Sequence, residues 1–257
     1  MKAIALKKHP GAAGKFPLVC APLVARDRAT LLAEAAAVAA RGPDILEWRV
    51  DFFEGIGRSG EVAALCGLLK EAAGGLPLLF TRRSAREGGQ PIGMSEAQVL
   101  ELYAAVCAAG QVDLIDFEMG NAPQDVAAVR EMSRVHGMGL VLSFHDFQQT
   151  PTQAALLERF ARAQELGADV AKVAVMPQRM EDVLTLLAAT LQASQALTIP
   201  VVSMAMGALG ASTRLCGGAF GSALTFAVGQ SASAPGQMPI AELSAALALL
   251  RKAGAGA

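Results

Sequence analysis

One lysine, Lys172, stands in the middle of an apolar run, residues 168–176, that has the length of a short buried strand. Burying an ammonium group in apolar surroundings is unfavourable unless it finds a partner, and desolvation disfavours its charged form. A neutral amine is the form that condenses with a ketone to give a Schiff base. A lysine at a strand end, with its stem on apolar surface and its head in water, would fit the same run.

Further polar side chains stand in or directly after other apolar runs. Glu47 and Arg49 are two residues apart and share one face of a strand, as substrate contacts or as a structural ion pair. His145 ends another run. Together, a lysine, a histidine, a glutamate and three arginines predict an electropositive pocket for a small anion, with the histidine as a base beside an imine. The candidates are Glu47, Arg49, Asp51, Arg82, Arg83, Glu87, Asp116, Glu118, His145, Lys172, Arg214, Ser233 and Gln237.

The apolar runs alternate with helical patterns along the whole chain, which predicts a parallel sheet. Eight such units in 257 residues favour an α/β fold closed as a (β/α)8 TIM barrel, where the carboxyl ends of the strands carry the chemistry. An open dinucleotide-binding sheet is disfavoured because no Gly-x-Gly-x-x-Gly follows the first strand. The predicted strands are 16–24, 45–50, 76–81, 111–117, 139–144, 170–175, 199–204 and 221–226. The predicted helices are 27–41, 61–73, 95–109, 124–136, 152–166, 180–193 and 240–253, with a brief one after Gly207.

Composition limits the class of protein. We expect one domain over residues 1–257, in which residues 1–15 close the barrel base and residues 254–257 form a disordered tail. The net charge of −1 gives no general attraction to nucleic acid or membrane, and no apolar run has the length of a membrane span. The charged start does not fit a secretory signal, and four widely spaced cysteines without a C-x-x-C motif fit reduced core thiols. We therefore expect a cytoplasmic protein.

Several stretches occur together and in order, and the set resembles the type I 3-dehydroquinate dehydratase family. They are EWRVD at 47–51, RSAREGG at 83–89, DFE at 116–118, LVLSFHD at 140–146, Lys172 with its apolar flanks, SMAMG at 203–207 followed by Arg214, FGSALTF at 220–226 and SAPGQ at 233–237.

The resemblance implies a lyase of the shikimate pathway that converts 3-dehydroquinate to 3-dehydroshikimate and water. It implies that Lys172 forms the imine, that His145 moves the protons, that Glu87 orients and charges His145, and that Arg214 holds the substrate carboxylate. It also implies a homodimer that uses no metal and no organic cofactor, and a lid formed by the loop from Ser233 to Gln237. The remaining substrate contacts that it implies are Glu47, Arg49, Arg83, Ser233 and Gln237.

Some positions depart from the family pattern. Ala21 stands where a serine is common, which predicts one missing substrate contact, and Phe144 stands where a polar residue or a tyrosine is more usual. Arg82 and Arg83 could be a solvated pair; we assign the family role to Arg83 because the following RSAREGG stretch fixes the register.

Three other functions fit parts of the pattern. A class I aldolase acting on a small oxo acid would use the same lysine and arginines. A metal-dependent sugar isomerase would use Glu47, Asp116, Glu118 and His145 as ligands. A barrel that only binds a ligand would form no covalent adduct at Lys172.

Overall fold

The computed structural model of the protein describes residues 2–6 and 16–254. Its strands are β1 (Leu18–Leu23), β2 (Ile45–Arg49), β3 (Leu78–Thr81), β4 (Leu114–Glu118), β5 (Gly139–Asp146), β6 (Val170–Val175), β7 (Val201–Ala205), β8 (Leu224–Val228) and β9 (Met238–Pro239). Its helices are α1 (Arg28–Ala39), α2 (Ser59–Ala72), α3 (Glu96–Ala109), α4 (Pro123–Val135), α5 (Gln153–Glu165), α6 (Met180–Ala196), α7 (Gly207–Cys216) and α8 (Ile240–Gly254).

The first eight strands run parallel, each beside its neighbour in sequence, and β8 pairs with β1. The circle closes between β7 and β8 through an isolated bridge from Val201 to Ser222, where the Ala223 N–H donates to the Val201 carbonyl oxygen at 2.8 Å. The Ser222 hydroxyl adds to this junction by accepting the Ser203 N–H at 3.0 Å. The predicted (β/α)8 architecture is confirmed. The two-residue strand β9, which pairs with β8, was not predicted because so short a segment carries no pattern.

Side chains of the strands alternate between two apolar clusters, one inside the barrel and one between the barrel and the helices. In β1, Leu18 and Cys20 face the interior, whereas Val19, Ala21 and Leu23 face the helices. The prediction that Ala21 costs a substrate contact is therefore wrong, because its side chain points away from the interior. An unbroken apolar run does not reveal which of its residues face inwards.

The two ends of the chain lie partly outside the described residues. Ile4 and Leu6 are buried in the interior cluster together with the first residues of several strands. Residue 1 and residues 7–15 are outside the described part, so closure of the base by residues 1–15 stays a prediction. At the other end, α8 includes Gly254, and the rest of the predicted tail, residues 255–257, lies outside the description.

Several helices begin where their capping residues indicate. Ser95 and Gln98 form the capping box expected at the start of α3, and Asp27 and Thr152 cap α1 and α5 through their side chains. These caps fix where each strand–helix loop ends, and the loops at that end carry the site. Within the described residues, no helix combines the length and apolarity needed to cross a membrane.

Candidate active site

A small cavity opens at the carboxyl ends of the strands. Lys172 of β6 lies beside Ser143 of β5, and His145 lies one pleat further along, beside Ala174. Parallel pairing of β5 with β6 thus places the lysine and the histidine in one wall, as predicted from their sequence order. The structure places around this cavity the nine candidates to which the family resemblance gives a role: Glu47, Arg49, Arg83, Glu87, His145, Lys172, Arg214, Ser233 and Gln237.

Lys172 is buried, with 4% of its surface exposed, which excludes the alternative of a lysine reaching into water. Its surroundings are less apolar than the sequence indicated. Its Nζ lies 2.9 Å from Asp116 Oδ2 and 3.6 Å from Glu47 Oε1, and 4.7 Å from the centre of the Phe226 ring. The burial of the ammonium group is therefore compensated by a direct ion pair.

Asp116 joins the lysine to Arg83. Its Oδ1 accepts from Arg83 Nη2 at 2.8 Å and from the Ser143 hydroxyl at 2.6 Å. Burial alone would raise the pKa of Asp116, but Arg83 and then Lys172 outweigh it and hold that pKa below its usual range. Asp116 is thus an ionised carboxylate shared by two cations.

Arg83, and not Arg82, faces the cavity. Arg83 Nη1 donates to Glu118 Oε1 at 3.1 Å and to the Ser143 hydroxyl at 2.9 Å. Arg82 lies outside the cavity, with its nearest carboxylate oxygen, from Glu96, at 3.9 Å. The assignment of the cavity arginine from the RSAREGG register agrees with this placement.

Glu87 holds the imidazole of His145 in place. Its Oε2 accepts the backbone N–H of His145 at 3.0 Å and lies 2.8 Å from Nδ1 of the ring. Because Oε2 already acts as an acceptor there, we assign the ring proton to Nδ1, which leaves Nε2 unprotonated and able to act as a base.

The pKa shifts of this pair run opposite to the expectation that Glu87 charges the histidine. Burial, followed by the charges of Arg83 and Lys172, lowers the pKa of His145 well below 6.5. Burial, followed by the charge of Glu118, raises the pKa of Glu87 to about 8. The resting imidazole is therefore neutral, as a general base requires, and the geometry supports orientation of the ring by Glu87.

Arg49 is fixed by Asp51 and reaches the loop that covers the cavity. Two hydrogen bonds of 2.8 Å join its guanidinium to the two carboxylate oxygens of Asp51. Asp51 also accepts the backbone N–H groups of Arg83 and Gln90, so it ties the loop after β2 to the loop after β3. Arg49 Nη1 also lies 3.5 Å from the Ser233 carbonyl oxygen.

The loop at residues 231–237, which we call the lid, lies over the cavity. Arg214 Nη2 donates to the Pro235 carbonyl oxygen at 3.0 Å, and the Gln237 Oε1 accepts the Ser233 N–H at 2.9 Å. Gly236 has a φ of +77°, and a Cβ there would lie 2.3 Å from the Gly207 carbonyl oxygen. Only glycine therefore permits this close approach of the lid to the start of α7.

Arg214 differs from the other cations that line the cavity. It is 1% exposed, and within the described residues no carboxylate lies within ion-pair distance of it. Burial without a negative partner lowers its pKa to about 10. The sequence predicted a pocket that is electropositive throughout. In the structure Arg49, Arg83 and Lys172 are each paired with carboxylates, so the uncompensated positive charge lies on the guanidinium of Arg214.

Several site residues were missed or underrated by the sequence analysis. The sequence indicates Asp116 only as a candidate and as a ligand in the sugar-isomerase alternative, on the signal of its two-residue spacing from Glu118 in an apolar strand. Phe147 and the methionines Met204 and Met206 also line the cavity. They carry no charge and their types are common in cores, so nothing in the sequence distinguished them from packing residues.

The carboxylates required by the sugar-isomerase hypothesis are used in another way. Asp116 and Glu118 are bound to Arg83, and Glu47 accepts from the Thr81 hydroxyl at 2.9 Å. In the described ranges, no three acidic, histidine or cysteine side chains converge as metal ligands would. This arrangement favours chemistry at the lysine.

Comparison with known families identifies close relatives. The family model for type I 3-dehydroquinase matches residues 19–253. A 3-dehydroquinate dehydratase from Albidiferax ferrireducens is 55% identical over 245 residues, which cover 95% of this chain and 93% of that protein. One from Aromatoleum aromaticum is 47% identical and covers 98% of this chain and 96% of its own length.

Solved structures of the same enzyme are similar in three dimensions. The crystal structure of 3-dehydroquinate dehydratase from Geobacillus kaustophilus superposes with a TM-score of 0.91 at 48% identity, covering 93% of each chain. A type I enzyme from Clostridium difficile, solved with covalently modified comenic acid, gives a TM-score of 0.89 at 38% identity and covers 93% of this chain and 94% of its own.

The raised pKa of Glu87 makes a prediction about stability. A carboxyl whose pKa rises from 4.5 to about 8 on folding contributes fully below pH 4.5, and this contribution is lost as the pH rises towards 8. Glu87→Gln removes that loss. Relative to the parent, we expect its free energy of unfolding to increase with pH by at most about 1.4 kcal/mol per unit between pH 5 and 8. Urea unfolding across this range measures it.

The matched control is Glu158→Gln, which changes an exposed glutamate of α5. We expect its stability relative to the parent to stay flat across the same range. A flat profile for Glu87→Gln as well would contradict the raised pKa.

Proposed function

The chain belongs to the type I 3-dehydroquinase family, and from this premise we propose that its cavity dehydrates 3-dehydroquinate through a Schiff base at Lys172. The reaction gives 3-dehydroshikimate and water, a hydro-lyase step of the shikimate pathway towards aromatic amino acids. The observation that carries the proposal is the meeting in one covered cavity of a buried lysine, a histidine whose Nε2 is assigned as unprotonated, and a buried arginine with no carboxylate partner among the described residues.

Substrate binding begins with the carboxylate. Arg214 is a buried cation without a carboxylate partner among residues 2–6 and 16–254, and its planar guanidinium can form two parallel hydrogen bonds to a carboxylate. The charged hydrogen bonds to Arg214 then offset the hydration that the substrate carboxylate loses on entering the cavity.

The hydroxyl groups of the substrate meet the remaining polar side chains of the cavity. Glu47 and Arg83 lie on the barrel wall, and Arg49, Ser233 and Gln237 lie at or in the lid. A site that hydrogen-bonds each hydroxyl discriminates against ligands that lack one, because buried polar groups would be left unpaired. We assign to these five residues the orientation of the substrate ring that carries the hydroxyl groups.

Imine formation joins Lys172 to the ketone. The ammonium first releases a proton, and the neutral amine attacks the carbonyl carbon. The hydroxyl of the resulting carbinolamine takes up a proton and leaves as water, which gives a C=N⁺ iminium. The positive iminium withdraws electrons from the neighbouring carbon, so its C–H bond becomes far more acidic.

His145 then transfers the protons of the elimination. Its Nε2 removes a proton from the carbon next to the iminium, which gives a neutral enamine and an imidazolium. The enamine expels the hydroxyl group on the next carbon, and the imidazolium returns its proton to that oxygen as it leaves as water. A second water hydrolyses the conjugated iminium, which releases product and restores the amine. The covering lid limits the access of water to the imine in the meantime.

We also propose that the enzyme is a cytoplasmic homodimer. Four free cysteines suit a reducing compartment. A stripe of exposed apolar side chains on α6, namely Met180, Leu184 and Leu191, offers a face suited to burial against a second copy.

Replacement of the lysine tests the chemistry. Lys172→Ala should remove nearly all turnover and all adduct formation, because no other group in the cavity can form an imine. The measurement is borohydride reduction in the presence of 3-dehydroquinate, followed by mass mapping of the modified peptide. Lys252→Ala, at an exposed position of α8, is the control and should keep both signals. An adduct on another lysine would contradict the assignment. Appearance of the conjugated enone absorbance separates dehydration from the C–C cleavage of an aldolase.

Replacement of Arg214 tests the binding assignment. Arg214→Ala should raise KM roughly 10- to 100-fold, because charged hydrogen bonds are typically worth about 1.5–3 kcal/mol. Arg214→Lys should give an intermediate KM, since it keeps the charge and loses the fork. Initial rates over a range of substrate concentrations give both constants. A KM within twofold of the parent for the alanine variant would assign the carboxylate to another residue.

The oligomeric state has a direct measurement. Sedimentation velocity at micromolar concentration should give a mass near twice the 26.4 kDa of the chain. Leu184→Glu should shift it towards monomer by placing charge in the apolar stripe of α6, whereas Leu249→Glu, on exposed α8, should not. A parent protein that sediments as a monomer would overturn the homodimer.

A further inference from the structure

Asp116 is the most enclosed carboxylate of the site. It has no exposed surface, and each of its carboxylate oxygens has a cationic partner: Oδ2 meets Lys172 Nζ at 2.9 Å, and Oδ1 meets Arg83 Nη2 at 2.8 Å. Its backbone carbonyl oxygen accepts the Tyr103 hydroxyl at 2.6 Å, and the Ser143 hydroxyl donates to Oδ1. The carboxylate therefore has a fixed position before any ligand arrives.

Two other carboxylates lie nearby, but neither occupies an equivalent position. Glu47 Oε1 is further from the lysine nitrogen, at 3.6 Å, and lines the cavity where a ligand would contact it. Glu118 binds Arg83 at 3.1 Å and accepts the Ser84 N–H, without an ion pair to Lys172. Asp116 alone combines direct contact with the reacting nitrogen and complete burial behind it.

We propose that Asp116 is the counter-ion of the Schiff base, a catalytic carboxylate that stabilises the cationic states of the lysine nitrogen, which are the iminium before proton removal and the conjugated iminium before hydrolysis. This inference rests on the proposed function, since it concerns the same imine. Asp116 acts as a fixed negative charge and not as a base, because two cations and the Ser143 hydroxyl hold its carboxylate ionised.

The charge on the Lys172 nitrogen changes at each step, whereas the negative charge of Asp116 stays constant. The resting ammonium carries one positive charge, which leaves with its proton before attack on the ketone. The iminium restores that charge when the C=N bond forms and the carbinolamine oxygen leaves as water. Proton removal by His145 makes a neutral enamine, and departure of the hydroxyl group regenerates a positive, conjugated iminium. A negative charge 2.9 Å from the original nitrogen position favours every cationic species, including the two that precede proton removal and product release.

Because Asp116 also binds Arg83, its carboxylate stabilises the positive charge on Lys172 less strongly than an unshared carboxylate would. A counter-ion held only by the lysine would favour the unreactive ammonium strongly and oppose attack on the ketone. Because Arg83 and Ser143 take Oδ1, part of the negative charge is already compensated. Other charged and titratable groups face the Lys172–Asp116 ion pair from the surrounding elements. They are Cys20 on β1, Glu47 on β2, Arg83 and Glu87 after β3, Glu118 on β4 and His145 on β5.

The test is Asp116→Asn, which keeps the shape and removes the charge. The enzyme is mixed with 3-dehydroquinate between pH 5 and 9 and quenched into excess borohydride, and the adduct at Lys172 is quantified by mass spectrometry beside steady-state turnover. We expect kcat to fall roughly 100-fold, as on removal of one preorganised electrostatic contact. We also expect the pH midpoint of adduct formation to move at least about one unit lower, because the amine releases its proton more easily without the carboxylate.

Glu118→Gln is the matched control. It neutralises a carboxylate two residues along the same strand and weakens the same Arg83, but it leaves the lysine ion pair in place. We expect a change in KM and an unshifted pH midpoint. An unshifted midpoint in Asp116→Asn, or a kcat within threefold of the parent, would overturn the counter-ion role. Absence of any adduct in the parent protein would overturn the Schiff-base function itself, so the two failures are distinguishable.

A second measurement does not depend on activity. Asp116→Asn is compared in the parent and in a Lys172→Met background by urea unfolding, with circular dichroism to confirm folding. If the carboxylate serves the lysine charge, the loss in urea midpoint caused by Asn is smaller when the lysine is already absent. Equal losses in both backgrounds would show that Asp116 serves only Arg83 and would overturn the proposal.

Discussion

The ion pair between Lys172 and Asp116 is the interaction on which the site depends. An ammonium group inside a barrel persists only if a negative group compensates it, and that negative group needs its own partners. The consequence spreads across neighbouring strands: Asp116 on β4 requires Arg83 after β3, and Arg83 also contacts Glu118 and Ser143. The site is therefore a connected network in which replacement of one charge leaves another uncompensated.

The same principle distinguishes Arg214 from the rest of the site. Most charges of the cavity are balanced within the protein, which leaves them to orient a ligand through hydrogen bonds. Arg214 has carbonyl oxygens and a sulfur atom as its protein partners, so a ligand carboxylate completes its electrostatic environment. Selectivity for an anion thus arises from a single incomplete position in an otherwise neutralised network.

The sequence was sufficient for the architecture and for most of the polar residues that line the cavity. Eight repeats predicted the barrel, and the neighbouring order of β5 and β6 predicted that His145 lies beside Lys172. The sequence did not show which side chains of a buried strand point into the barrel, as Ala21 illustrates. A strand that is buried on both faces has no alternating pattern of apolar and polar residues. The ion pair of Lys172 could not be read either, since Asp116 is 56 residues earlier and meets the lysine only across an intervening strand. The electrostatics of Glu87 and His145 also needed coordinates, because the depth of burial decides which of the two holds a proton.

The pairing of β1 with β8 has a consequence for how the protein comes into being. Leu18 lies beside Leu224, so β1 stays without one neighbour until about 200 further residues have been synthesised. Contacts between such distant positions slow folding, and a nascent chain exposes an unpaired strand edge in the meantime. The cavity draws residues from β2 through the segment after β8, so no shorter nascent fragment holds a working site. A growing chain can therefore complete this cavity only after Gln237 has left the ribosome.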